Sequence, residues 1–262
     1  MELRCYEAAK TGKVKVVKDI LSKYPHLDVN WKNKGGWSAL YVACEYAQDA
    51  IVSILLAHPD IDVNLKTSSG CTPFWCASNP GHTSSIPLLL KDSRVRVTEP
   101  SNGGFTPLWR AAFYGLDIIK MWVAPGREMD LGKPGDVDRT DVIGVAKKYD
   151  NTEVVTLLER FKENPEETRH AMRLEIGWYD DAAAEMFALM VFVSDGLLQI
   201  KDTKTTPAAR FFSITRSLPL ELQMVLCHRQ VESDKEIIPG KESEVAFKSL
   251  AESLLWSSIF TS

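Results

Sequence analysis

Gly103-Gly104-Phe105-Thr106-Pro107-Leu108-Trp109-Arg110-Ala111-Ala112-Phe113-Tyr114-Gly115 is the stretch that decides the fold. A Thr-Pro-Leu step leads into a short apolar helix, and the helix stops at a glycine. The same wording precedes it as Cys71-Thr72-Pro73-Phe74-Trp75-Cys76-Ala77, ending at Gly81. Earlier again it reads Trp37-Ser38-Ala39-Leu40-Tyr41-Val42-Ala43, ending at Ala47. Ser38 to Thr72 and Thr72 to Thr106 are both steps of 34 residues. Each word has a physical purpose. Thr or Ser accepts a helix-starting N–H, and Pro at the first helical position fixes φ where no donor is needed. The alanines let neighbouring helices approach, and Gly supplies the left-handed residue that turns the chain into a second helix.

The period extends both ways. Residues 2–33 form a degenerate first unit, with Ala8 and Gly12 keeping the spacing and Val14 to Leu21 apolar at helical intervals. Its polar opening helix suits a terminal unit with one face toward water. Second helices follow at Ala50 to Leu56, around Ile86 to Leu90 and at Ile118 to Val123. Pro87 belongs in the first turn of its helix, where a proline is tolerated. A looser fifth unit, 135–161, places Asp141-Val142-Ile143 in the Thr-Pro-Leu slot and Asp150 where the glycine would stand. Asp-Val-Asn recurs at 28–30 and 62–64, again 34 apart. Stacked helix pairs of this period expose an apolar face individually and are stable only together.

This wording resembles the ankyrin repeat. The resemblance implies an all-α solenoid of about five helix-pair units over residues 1–161. At Lys162-Glu163-Asn164-Pro165 the period ends and polarity rises, so residues 162–262 are expected to form a compact helical C-terminal domain. Helices are expected from Pro165 to about Ile176, Ala182 to Val193, Ala208 to Arg216, Pro219 to about Arg229, and Glu242 to about Trp256.

Composition excludes several function classes. Net charge is −4, and residues 1–161 carry 20 Lys/Arg against 19 Asp/Glu, which leaves 11 against 16 for the rest of the chain's 31 and 35. No basic stripe calls for nucleic acid. The longest apolar run, Met186 to Val193, is too short to span a bilayer, and the first residues lack a signal-peptide core. The five cysteines show no metal spacing, and four lie in or beside repeat helices as small apolar fillers. The protein is therefore expected inside the cell, in cytoplasm or nucleus. The five histidines are scattered, and no phosphate-cradling Gly loop or activated nucleophile is present. No catalytic residue, cofactor or metal is assigned. An enzyme remains the remote alternative, confined to the later region.

In ankyrin repeats the residue before Thr-Pro-Leu and the two before the helix-ending Gly face a concave groove. The resemblance places Trp37, Glu45 and Tyr46 there, then Cys71, Asn79 and Pro80. The fourth unit adds Phe105, Phe113 and Tyr114, and the fifth Lys148 and Tyr149. Six of these eleven are aromatic, against 9 % of the whole chain. Aromatic side chains facing water are the usual anchors of binding hot spots. Trp37, Glu45, Tyr46, Phe105, Phe113, Tyr114, Lys148 and Tyr149 are thus the candidate contacts of a protein partner. Some of these rings could instead pack on adjacent repeats. Trp75 and Trp109, in the slot where the family has His, are expected to pack between helices.

Leu218-Pro219-Leu220-Glu221-Leu222-Gln223-Met224-Val225-Leu226 resembles the opening of an F-box. Pro219 suits a helix start, and Leu222, Val225 and Leu226 share one face. That resemblance implies a cullin-RING ligase adaptor contact through Leu218, Pro219, Leu222, Val225 and Leu226. The competing reading is a helical cap that seals the fifth repeat. An adaptor must leave the Leu222/Val225/Leu226 face available, whereas a cap buries it.

Overall fold

The computed structural model describes residues 1–79, 84–114, 116–132, 140–195, 198, 211–212, 214–215, 218–231, 235, 238 and 242–251. Its regular structure is helical, with no strand among the described residues; Lys32 and Ser38 form an isolated antiparallel bridge. Backbone contacts divide the chain into two compact units, Met1–Met172 and Arg173–Leu255.

The first unit is the expected solenoid. Helices α1 (Glu2–Lys10) and α2 (Val14–Lys23) make the first pair, and α3 (Ala39–Glu45) and α4 (Asp49–Leu56) the second. Helices α5 (Pro73–Ala77) and α6 (Ser85–Lys91) follow, then α7 (Pro107–Tyr114) and α8 (Leu116–Val123), then α9 (Val142–Lys148) and α10 (Thr152–Glu163). First helices stack on first helices and second on second along the array. Pro87 lies in the first turn of α6, where its missing N–H costs no helical bond. α11 (Pro165–Glu175) begins at the expected proline and shares its contacts with this unit as far as Met172.

The helix starts follow one rule. Ser38 Oγ accepts from Tyr41 N at 3.2 Å, and Thr72 Oγ1 from Trp75 N at 3.1 Å. Thr106 Oγ1 accepts from Trp109 N at 3.1 Å, and Asp141 Oδ1 from Gly144 N at 2.7 Å. Four residues of three types cap four helices because each places an oxygen one bond from the orphan donors. Two positions after each cap stands a large apolar residue, Leu40, Phe74, Leu108 or Ile143, and all four are buried.

The turn between paired helices needs a left-handed residue. Gly12 supplies it at φ 70°, but Ala47 and Asp150 hold φ 50° and 56° in the same slot. The space at Gly12 is also closed: a Cβ there would meet Gln48 Oε1 at 2.4 Å. Gly81 and Gly115, the other two expected helix ends, lie outside the described residues.

Neighbouring units are bonded at both edges. Tight turns at 33–36, 67–70 and 101–104 close on Gly36, Gly70 and Gly104, all left-handed. These tips stack by backbone bonds, Ser68 N to Gly35 O at 3.1 Å and Asn102 N to Ser69 O at 3.0 Å. At the opposite edge lies the work of the repeated Asp-Val-Asn. Asn30 donates from Nδ2 to Asp60 O at 2.7 Å and accepts from Asp62 N at 2.8 Å. Asn64 repeats both bonds with Arg94 O and Arg96 N, each at 2.8 Å. One planar amide thus satisfies a donor and an acceptor of the next unit. Beyond Asn64 the Asn is gone, and Arg127 spans the step by donating to Leu90 O, Asp92 O and Val95 O.

In the second unit, α12 (Trp178–Ser194) packs on α13 (Leu220–Gln230), and residues 242–251 are helical. α12 starts four residues before the expected Ala182, because left-handed Gly177 lets the chain turn straight into it. Asp180 and Asp181 accordingly sit inside its first turn, where carboxylates complement the helix dipole. Ala183, Ala184, Phe187, Ala188 and Met190 form the core with Cys227, Ile238 and Ala246, and Phe211, Met224 and Phe247 pack around them. Most of the helix expected at 208–216 falls outside the described residues.

Candidate functional site

The repeat register generates the site. Positions 37, 71 and 105 are equivalent, as are 41, 75 and 109, and within a unit these two positions are four residues apart. Residues at that spacing share a helix face. In the second unit Trp37 packs on Tyr41 with ring centroids 5.2 Å apart, and in the fourth Phe105 packs on Trp109 at 4.6 Å. The third unit breaks the pattern by placing Cys71 beside Trp75. Where its neighbours carry a ring, it carries a thiol.

A cavity of about 660 Å³ occupies that place. Cys71, Trp75, Phe105, Trp109, Arg110 and Phe113 line it. Trp75 is pinned, since its Nε1 donates to Phe105 O at 2.9 Å across the repeats. The Arg110 guanidinium lies over the Trp75 ring, 4.1 Å from its centre. Trp109 Nε1 is buried and finds no acceptor. Burial pushes the Cys71 thiol above its ordinary range, while the positive charge of Arg110 acts against that shift.

From the cavity a line of rings runs into the fifth unit. Trp109 stacks on Phe113 with centroids 6.0 Å apart, and Phe113 meets Tyr149 at 4.2 Å. Asn151 holds this junction by donating to Ala112 O at 2.9 Å and Phe113 O at 3.0 Å. Tyr149 is 42 % exposed, and Lys148 Nζ lies 5.6 Å from its ring centre.

The expected contacts are therefore unequally placed. Phe105, Phe113 and Tyr149 come together, and Trp109 joins them. Trp37 sits half-buried against Tyr41 two units away. Tyr46 is 43 % exposed with Lys10 Nζ above its ring at 5.6 Å. Glu45 turns toward the third unit, where it accepts a hydrogen bond from the Cys76 thiol. Burial raises that thiol well above its usual range, and the Glu45 carboxylate adds to the effect. Tyr114 belongs to α7, but its side chain lies outside the described residues, as does Pro80. Trp75 and Trp109 depart from the expectation of plain packing: both pack, and both form cavity wall. Arg110 carried no expectation. Its signal was available, because an arginine at the register of Cys76 cannot be buried as a thiol is.

On α13 the buried residues are Gln223, Cys227 and His228. Leu222 is 50 % exposed and Leu220 54 %, while Val225 and Leu226 are half-buried. Pro219 is exposed, Leu218 is half-buried, and the helix begins one residue after the expected proline. Among the described residues no three His, Cys, Asp or Glu side chains gather as metal ligands. No described helix is long and apolar enough to cross a membrane.

Residues 5–100 match the family model of ankyrin repeats, in three copies. No curated protein matches the chain. The fourth and fifth units continue the same caps and stacking beyond the matched residues. Ankyrin repeats are in general modules of protein–protein interaction.

Proposed function

We propose that the repeats capture a protein segment, without catalysis, along the groove that bears Trp37, Tyr46, Phe105, Phe113, Tyr114 and Tyr149. The observation that carries this reading is the continuous Phe105–Trp109–Phe113–Tyr149 line of rings beside a cavity. Apolar surface of that kind marks an interface. Glu45 and Lys148 flank it with charges of opposite sign. The domains of this reading are residues 1–161 for recognition and 162–262 for a separate helical region. A reducing compartment, cytoplasm or nucleus, suits five cysteines that are all free and buried. Crosslinking the full chain to its partners in cells, then mapping the linked peptides, tests the proposal. Links concentrated around Lys10 and Lys148 support it; links confined to Arg173–Leu255 overturn it.

A second reading has an observation of its own. The half-exposed Leu220 and Leu222 leave part of the F-box-like face open, as a cullin-ligase adaptor contact through Leu218, Pro219, Leu222, Val225 and Leu226 requires. Co-purification of a cullin adaptor that is lost in Leu222→Asp supports it. Co-purification unaffected by that change removes it.

A further inference from the structure

We infer that Asn102-Gly103, at the tip of the fourth repeat, is a self-deamidating site whose reaction releases this tip from the third repeat. The inference is independent of what the groove binds.

The sequence singles the pair out. Seven asparagines occur in the chain, and Asn102 alone is followed by glycine. Asparagine is thermally labile, because the next residue's backbone nitrogen can attack its side-chain carbonyl carbon. Glycine has no side chain to obstruct that approach. The equivalent tips read Lys34-Gly35 and Ser68-Ser69, with no side-chain amide to react.

The structure leaves the attacking group available. Asn102 and Gly103 are both exposed, inside the tight turn that Gly104 N closes on Ser101 O at 2.9 Å. Gly103 N itself donates to no acceptor. A Cβ at position 103 would meet the Phe105 ring at 2.9 Å, so packing keeps a glycine there.

The amide under attack is a latch between repeats. Asn102 Nδ2 donates to Ser68 O at 3.0 Å, beside the backbone bond from Asn102 N to Ser69 O. The side chain seats on left-handed Gly70, where a Cβ would lie 2.2 Å from Asn102 Oδ1. Deamidation removes the donor. Gly103 N gives its proton to solvent and bonds to Asn102 Cγ. The Cγ–Nδ2 bond breaks, and Nδ2 leaves as ammonia with a proton from water. Water then opens the cyclic imide at either carbonyl, which leaves an aspartyl or isoaspartyl residue at position 102. A carboxylate only accepts hydrogen bonds, so Ser68 O loses its donor and faces a negative charge. In the isoaspartyl form the main chain gains a carbon between the two residues, and the turn bond to Ser101 O loses its geometry.

Ageing the folded full chain in mildly alkaline heavy-oxygen water, followed by peptide mass mapping, tests this. The peptide holding Asn102 should gain an acid carrying heavy oxygen about ten times faster than peptides holding the other asparagines, whose following side chains obstruct attack. Hydrogen exchange should accelerate at residues 67–70 and 101–104 in the aged chain relative to the fresh one. Asn102→Asp should show that acceleration without ageing. Should Asn102→Asp fail to fold by circular dichroism, aged chain separated by ion exchange supplies the same comparison. Asn102→Ser, which takes the residue of the preceding tip, should neither convert nor change its exchange on ageing.

Conversion at Asn102 no faster than at the other asparagines overturns the inference. Conversion confined to urea-unfolded chain also overturns it, because the folded tip would then shield the amide. Conversion that leaves exchange at both tips unchanged overturns the release, and so does an equal acceleration on ageing in Asn102→Ser.

Discussion

Phe113 of the fourth repeat and Tyr149 of the fifth meet ring to ring, with centroids 4.2 Å apart. The two rings therefore have separable roles. Phe113 is half-buried between Trp109 and Tyr149, so it supports the array as well as lining the cavity. Tyr149 keeps much of its surface in water. Tyr149→Ala should lower stability by about 1 kcal/mol, the scale of one aromatic pair. Phe113→Ala should cost roughly 2 kcal/mol or more, since it removes packing on both sides. Urea denaturation of the two variants measures the difference. Partner capture should fall in both, and only Tyr149→Ala isolates the loss from unfolding. Equal stability losses would mean that the rings share burial evenly.

Ala47 and Asp150 hold the left-handed conformation that Gly12 supplies in the first repeat. An L-residue with a Cβ pays about 1–2 kcal/mol there, and glycine returns part of that gain through its larger unfolded-state entropy. Ala47→Gly should thus stabilise the protein by about 0.5–1 kcal/mol. The reverse change, Gly12→Ala, should destabilise it more strongly, because the new Cβ meets Gln48 Oε1. Thermal melts of both variants check the opposite signs. A lower melting temperature in Ala47→Gly would contradict the assignment of strain to this slot.

The repeat grammar was legible because its determinants are local. A Ser, Thr or Asp cap acts on an N–H three residues away, so Thr106 and Asp141 announced their bonds to Trp109 and Gly144 without any tertiary knowledge. The slot held by Ala47 and Asp150 was legible from spacing alone, although neither residue favours the conformation. Asn30 was visible as a repeated letter, but its partners belong to Asp60 and Asp62, and a recurrence does not reveal a distant backbone group. The cavity was hidden for a different reason. It depends on a missing ring at Cys71, on Arg110 from the next repeat, and on how closely the two units stack. Only the register comparison of 37, 71 and 105 could have exposed it. For Trp75 and Trp109 the choice between packing and lining was false, since each does both.

The asparagine bridges give a test of what couples the units. Asn64 makes two bonds to the next repeat, both near the surface, where water can partly replace them. Asn64→Ala should therefore cost about 1 kcal/mol, and at most about 2 kcal/mol. Asn64→Asp keeps the acceptor for Arg96 N but loses the donor to Arg94 O, so it should fall between wild type and Ala. Because repeats are held by their neighbours, hydrogen exchange should accelerate around residues 92–97 before it does in α1. Uniform acceleration along the array would show that the bridge is not a local coupling.

His58 makes the array sensitive to mild acid. It is buried, and its Nδ1 accepts from Asp60 N at 3.2 Å, which requires that nitrogen to be unprotonated. Burial lowers its pKa from 6.5, against the opposing pull of the Asp60 carboxylate. The unfolded chain therefore binds a proton at a higher pH than the folded one. The stability this group contributes is fully present above about pH 6.5 and is lost as pH falls through the lower, folded value. Denaturation midpoints measured from about pH 7.5 down to about pH 5 should decline over that window. In His58→Asn the amide oxygen stands near the place of Nδ1 as a non-titrating acceptor. That variant should lose the decline while carboxylate titration at lower pH remains. A decline of equal size in both proteins would place the acid sensitivity elsewhere.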